Sequence, residues 1–240
     1  GQRLRVPVSL ALRQRWSRWY MQRLVGALPF QVEVLGELPQ RPMLWVGNHV
    51  SWTDIPLLGM LTPLSFLSKA EVRHWPLAGW LAEQAGTLFI RRGGGDAQGL
   101  REQISQQLGD ALPLLIFPEG TTSDGLRLLQ FHGNLLEPAL RAQAPIIPVG
   151  IRYTDLQGQY SAAIDFTGNM SFGESMKRIL GSPGFIAALH PLPVLSEPAT
   201  RQQAARSARA AIAERLSLPT DDTVPDTLRT AMSAARGRTG

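Results

Sequence analysis

After Pro29 the chain alternates between short apolar runs and helix-length stretches, and this alternation decides what it can fold into. Strand-length runs stand at 31–35, 43–46, 64–67, 87–91, 114–117, 146–151, 162–166 and 185–189. Between and beyond them, 55–61, 77–84, 96–108, 135–141 and 200–216 read as helices, the third with Asp96 as N-cap and Gly109 as C-cap. Strands that alternate with helices pack as one sheet with helices on its faces. The expected fold is therefore α/β, with a mixed, largely parallel sheet flanked by helices. At 240 residues, 44% of them hydrophobic, the chain suits one such domain with a sizeable core.

What precedes Pro29 is different in kind. Residues 1–30 carry Arg3, Arg5, Arg13, Arg15, Arg18 and Arg23 and no acid, whereas the other 210 residues hold 18 basic and 19 acidic side chains. The basic excess of a chain with net charge +5 thus lies wholly in this arm, so a uniformly basic nucleic-acid-binding domain is set aside. From 9 to 28, Leu12, Trp16, Trp19, Tyr20 and Ala27 recur near helical spacing, while Arg15, Arg18 and Gln22 fall on another side. A basic amphipathic helix flanked by Trp and Tyr suits an anionic bilayer surface; a helix packed on its own domain is the plainer alternative. The expected organisation is a membrane-associating helical segment at 1–29, the folded domain at 30–218 and a loosely ordered, Thr/Asp/Ala/Arg/Gly-rich tail at 219–240.

Several classes are excluded. No stretch reaches the roughly 18 apolar residues of a membrane span, and the uncharged run 55–68 is interrupted by Pro56 and Pro63. The arm lacks the continuous apolar core of a signal peptide. Without cysteine there is no disulfide, zinc-thiolate site or cysteine nucleophile, and without a His-Glu-x-x-His string no metal is expected. A Gly-x-Ser-x-Gly elbow is absent, and Gly93-Gly94-Gly95 lacks the Gly-Lys-Ser/Thr of a phosphate loop. Twenty-two arginines against two lysines, with abundant alanine, point to a GC-rich bacterial genome.

Two strings carry the chemistry. Asn48-His49-Val50-Ser51-Trp52-Thr53-Asp54 places an imidazole five positions from a carboxylate, just beyond the strand expected at 43–46, where open α/β sheets put their sites. Such an imidazole can act as a base while the carboxylate fixes its tautomer and steadies the imidazolium. Taken alone, Asp54 is equally an N-cap for the helix opening at Ile55, worth about 1 kcal/mol, and Asn48 a turn residue. The second string, Phe117-Pro118-Glu119-Gly120-Thr121-Thr122-Ser123, is a tight turn with one acid and three hydroxyls. It suits a polar head group, and Glu119 suits either an acceptor hydroxyl or the backbone N–H groups of the turn.

In this order, and with further blocks, the strings resemble the glycerolipid acyltransferase family, whose best-known members are the 1-acylglycerol-3-phosphate acyltransferases. The resemblance spans about residues 30–155 and includes Lys69-Ala70-Glu71, Pro76-Leu77-Ala78-Gly79-Trp80, the block at 86–92 ending in Arg91-Arg92, and Ile147-Pro148-Val149-Gly150. It implies His49 as general base with Asp54 as its partner. It assigns Arg92 and Lys69 to an acceptor phosphate, Glu119, Gly120, Thr121 and Thr122 to the acceptor head group, and Asn48 and Pro118 to motif support. No cofactor is implied: an acyl group passes from the thioester of acyl carrier protein or coenzyme A to the free hydroxyl of a lysolipid, 1-acylglycerol-3-phosphate first. Two departures keep the acceptor open. Arg91 stands where the family often has an acid, and Thr122 where many phosphatidate-forming members have arginine, so lyso-ornithine lipid or another lysophospholipid is the alternative. The implied place of work is the cytoplasmic face of an inner membrane, peripheral or monotopic. A non-catalytic membrane-binding protein and a thioesterase are the rivals of another class.

Overall fold

Three parallel neighbours at the centre of a seven-stranded sheet set the geometry of everything that follows. Strand β2 (Leu44–Gly47) lies between β5 (Leu114–Ile116) and β6 (Ile146–Asp155), with Leu44 opposite both Leu114 and Ile146. The computed structural model describes residues 10–39, 41, 43–70, 73, 79, 83, 87–90 and 97–220. On one side β5 pairs in parallel with β3 (Ser65–Lys69) and β3 with β4 (Leu88–Ile90). On the other, β6 pairs antiparallel with β7 (Phe185–Pro191), which pairs in parallel with β1 (Phe30–Val34). The order is β1-β7-β6-β2-β5-β3-β4, a mixed and mostly parallel sheet.

The period-2 alternation of side chains divides two apolar layers. Trp45, Leu115, Ile147, Val149, Ile151 and Tyr153 face one side. There they meet α1 (Leu10–Gly26), α2 (Asp54–Gly59) and α5 (Phe172–Leu180). Leu44, Val46, Leu114, Ile116 and Ile146 face the other, against α3 (Ala97–Gly109), α4 (Glu137–Arg141) and α6 (Arg201–Leu216). Central strands covered on both faces read as continuous apolar runs, which is why 44–46 and 114–116 carry no polar residue. Leu57 and Leu58 of α2 are fully buried, each stabilising the fold by roughly 1.5–3 kcal/mol relative to exposure.

The arm is fastened by Val25, buried in the first layer with Met21 and Leu24 packed against it, and by polar groups. Gln14 of α1 is buried and donates from Nε2 to Ser65 Oγ at 2.9 Å and to Pro113 O at 3.3 Å, while Arg18 Nε donates to Met60 O at 3.1 Å. The apolar stripe points the other way: Leu12, Trp16 and Trp19 are 44%, 63% and 51% exposed, the two indoles meeting edge-on at 6.2 Å. No described helix is long and apolar enough to cross a membrane.

One expected element is absent, one helix was not expected, and other expectations lie outside the described residues. Residues 162–166 form no strand: β7 already occupies the edge of β6, and the segment closes instead on local turns such as Ile164 N to Ser161 O at 3.4 Å. Helix α5 was not expected, although Ser171 and Glu174 make a reciprocal capping box that starts it. Gly109 ends α3 as its last helical residue. The helix expected at 77–84, most of it, and the N-cap Asp96 lie outside the described residues.

Candidate active site

Because β2 and β5 are parallel neighbours, the loops that leave their carboxyl ends emerge side by side, and these are the two strings of the motif. The first, 48–53, is clamped by Asn48, whose Nδ2 donates to Ile151 O at 2.9 Å and whose Oδ1 accepts from Ile151 N at 2.8 Å. A fully buried amide so satisfied ties the loop to β6. His49 follows, its side chain 18% exposed. Its Nδ1 lies 2.7 Å from Oδ2 of Asp54, which is fully buried at the start of α2. The same Oδ2 accepts from Val50 N at 2.7 Å and Ser51 N at 3.0 Å, so the carboxylate turns back on the loop. The N-cap of α2 is Thr53, and Asp54 is not a capping residue.

That arrangement sets the tautomer. A carboxylate only accepts, so Nδ1 of neutral His49 carries the hydrogen and Nε2 presents a lone pair. The ring is also held flat: Phe117 stacks on it at 4.1 Å and 6°. Gly47 makes room, since a Cβ there would stand 3.1 Å from Phe117 Cε1.

The second loop braces the first. Glu119, 4% exposed, accepts from His49 N at 2.9 Å through Oε1 and from Leu129 N at 3.3 Å through Oε2. Both donors are backbone N–H groups that lie outside the 117–123 turn, one of them in the loop that carries His49. Gly120, at φ +69°, supplies the left-handed turn that returns its N–H to Phe117 O at 3.1 Å. Ser123 N and Oγ both donate to His49 O, at 2.8 and 3.3 Å. Pro118 is buried and its carbonyl accepts from His132 N at 2.9 Å. Thr121 is exposed beside the site, whereas Thr122 Oγ1 donates to Phe166 O, drawing the 160–168 segment against the motif loop. Of the expected phosphate ligands, Lys69 ends β3 with its side chain outside the described residues, and Arg92, with Arg91, lies outside them entirely.

Three contributors escaped the sequence reading. Tyr153 of β6, buried and ninety-nine positions from Asp54, donates from its hydroxyl to Asp54 Oδ1 at 2.5 Å. Burial, and after it the Asp54 charge, hold this phenol well above its ordinary range, so it stays protonated. Phe117 stood in the motif without a role. Helix α5 fixes Trp52 through Nε1 to Ser175 Oγ at 3.0 Å and through Phe172 at 4.9 Å. The Ser171-x-x-Glu174 signature could have revealed that helix; nothing in one sequence singles out Tyr153.

A family model described as Acyltransferase matches residues 29–152. A lyso-ornithine lipid O-acyltransferase of Pseudomonas aeruginosa is 52% identical over 204 residues, covering 84% of this chain and 78% of that protein. A 1-acyl-sn-glycerol-3-phosphate acyltransferase of Neisseria meningitidis is 35% identical over 142 residues, 58% of this chain and 56% of its own. The crystal structure of the 1-acyl-sn-glycerophosphate acyltransferase from Thermotoga maritima superposes with a TM-score of 0.66 at 20% identity, over 85% of this chain and 78% of that one, a likeness of fold. With the paired motif loops on a shared sheet edge and a half-identical relative along most of its length, the chain belongs to the glycerolipid acyltransferase family and is an O-acyltransferase.

Proposed function

We propose that this enzyme moves an acyl group from the thioester of acyl carrier protein or coenzyme A to the free hydroxyl of lyso-ornithine lipid, with His49 as general base. The observation that carries the chemistry is the 2.7 Å contact between His49 Nδ1 and Asp54 Oδ2. It leaves Nε2 as the atom that takes the acceptor's hydroxyl proton. The alkoxide oxygen attacks the thioester carbonyl, the tetrahedral intermediate collapses with cleavage of the C–S bond, and the Nε2 proton passes to the departing sulfur. An ester and a free thiol result, and no bond to the protein forms. General-base assistance of this kind contributes about 10²–10⁴ in rate, and the positioning of two bound substrates supplies much of the remainder.

The acceptor rests on the 52% identity to the Pseudomonas lyso-ornithine enzyme. Thr122 points the same way: it adds no charge where a phosphate-binding arginine is common in the family, and its hydroxyl hydrogen is engaged by Phe166 O. This ordering replaces 1-acylglycerol-3-phosphate, which the motif resemblance had put first. The outward Leu12, Trp16 and Trp19 with the neighbouring exposed Arg15 support docking of α1 on an anionic bilayer at the cytoplasmic face. The test is a panel of lyso-ornithine lipid, 1-acylglycerol-3-phosphate and lysophospholipid diesters, each with labelled acyl carrier protein or coenzyme A thioester and mass spectrometry of the products. Diacylated ornithine lipid as the main product is expected. Preferred phosphatidate overturns the acceptor, and free fatty acid alone in every arm overturns transfer in favour of hydrolysis.

A further inference from the structure

We propose that Tyr153, with Thr53 behind it, is a positioning residue for acyl transfer, holding the far oxygen of Asp54 so that the near oxygen keeps His49 aimed and correctly protonated. This rests on His49 being the base. Asp54 is fully buried, and its Oδ2 is engaged by three N–H groups from the loop that carries His49. The Tyr153 hydroxyl is the contact at Oδ1, at 2.5 Å, and it comes from a different part of the fold, strand β6. A phenol has one hydrogen, and here it goes to Asp54. Thr53 Oγ1, 2.9 Å from the phenolic oxygen, must therefore be the donor in that second contact. The chain runs in one direction, Thr53 to Tyr153 to Asp54, so each bond polarises the next.

Packing does not explain the hydroxyl. The Tyr153 ring meets Phe30 at 6.0 Å within the apolar layer, where phenylalanine would serve equally well. The hydroxyl is instead aimed at the buried carboxylate of Asp54. It also changes what the dyad can do. With Oδ1 bonded, the Asp54 charge is shared between two sides of the carboxylate; without it, more of that charge falls on the His49 side, and the site takes up a proton more readily. Glu119 is a further ionisable group joined to this loop, through the His49 backbone N–H.

The experiment compares Tyr153→Phe, Thr53→Val and Thr53→Ser with wild type and with His49→Ala, by kcat, KM and pH profile on the best donor and acceptor of the panel, after circular dichroism confirms folding. Tyr153→Phe is expected to lower kcat about tenfold, to leave both KM values within about twofold, and to move the acid limb of the kcat profile to higher pH. Thr53→Val should move both readouts in the same direction by less, and Thr53→Ser should restore wild-type behaviour. A wild-type kcat and an unmoved acid limb in Tyr153→Phe, alongside an inactive His49→Ala, overturn this proposal alone. An active His49→Ala overturns the reading beneath it. Should Tyr153→Phe not fold, the Thr53 pair decides, and a wild-type profile in Thr53→Val overturns the chain.

Discussion

Replacing Asp54 by asparagine removes one charge from the site with little change of shape, and the structure fixes which way the amide must sit. Oδ2 faces three N–H groups: His49 Nδ1 and Val50 N at 2.7 Å and Ser51 N at 3.0 Å. An amide NH₂ there would oppose three donors, so the amide oxygen takes that place and the NH₂ turns to Tyr153, whose hydroxyl rotates to accept. His49 thereby keeps its Nδ1–H tautomer. A carboxylate-to-amide change that inverts the tautomer costs about 10⁴ in rate; here only the attraction between carboxylate and imidazolium is lost. Two unit charges about 4 Å apart at an effective dielectric near 20 attract by about 4 kcal/mol, equivalent to about 10³ in rate. The two backbone N–H groups already offset part of the carboxylate charge, so the expected fall in kcat is about 10²–10³. Initial rates of acyl transfer, read by mass spectrometry on folded Asp54→Asn beside His49→Ala, measure it. A rate within tenfold of wild type refutes the electrostatic role of Asp54. A loss as complete as that of His49→Ala refutes the claim that the loop N–H groups hold the amide in the productive orientation.

Two other outcomes follow from the fold. His190 is buried and accepts from Arg215 Nε at 3.0 Å; burial first, then Arg215 and Arg152, hold its pKa below the ordinary 6.5. The native state thus binds that proton less readily than the unfolded chain, so this part of the stability is full above pH 6.5 and is lost as pH falls through the unfolded value toward the native one. The thermal midpoint should decline more gently from pH 7.5 to 5.5 in His190→Gln than in wild type, and parallel curves would refute the assignment. For the arm, the double change Trp16→Ala and Trp19→Ala should reduce co-sedimentation with anionic vesicles several-fold while kcat on detergent-dispersed substrate stays within about twofold, since the exposed indoles, at 63% and 51%, make no core. Unchanged vesicle binding returns α1 to a packing role.

The fold was legible where a segment's own residues decide its structure. The apolar runs at 44–46, 114–116 and 146–151 became central strands because burial on both faces leaves no place for a polar residue. Prediction failed where a neighbour decides. Ala162, Ala163 and Ile164 look like a strand, but the place beside β6, the strand they follow, is taken by β7. β6 itself runs on to Asp155, past the expected end, because β7 pairs with it as far as Phe185 opposite Asp155. The helix at 172–180 is the contrary case: the Ser171–Glu174 cap and Phe172, Met176 and Ile179 at helical spacing made it legible locally, and it went unread.

The same division holds within the site, and there it has a mechanistic meaning. His49 and Asp54 were legible because they stand five positions apart in one string, and Asn48 and Glu119 because the strings that carry them are short and unusual. What orients the dyad is not local. Phe117 reaches the imidazole only because β5 pairs with β2, and Tyr153 reaches Asp54 only because β6 pairs with β2 on the other side, Gly47 opposite Val149. Two residues of alternation from Val149 to Ile151, and two more to Tyr153, keep that hydroxyl on the face where α2 begins. The His49–Asp54 pair is thus a property of one short string, whereas the direction in which the imidazole points is a property of three strands in register. A substitution that shifts β6 against β2 would leave the motif intact in sequence and disable it in space.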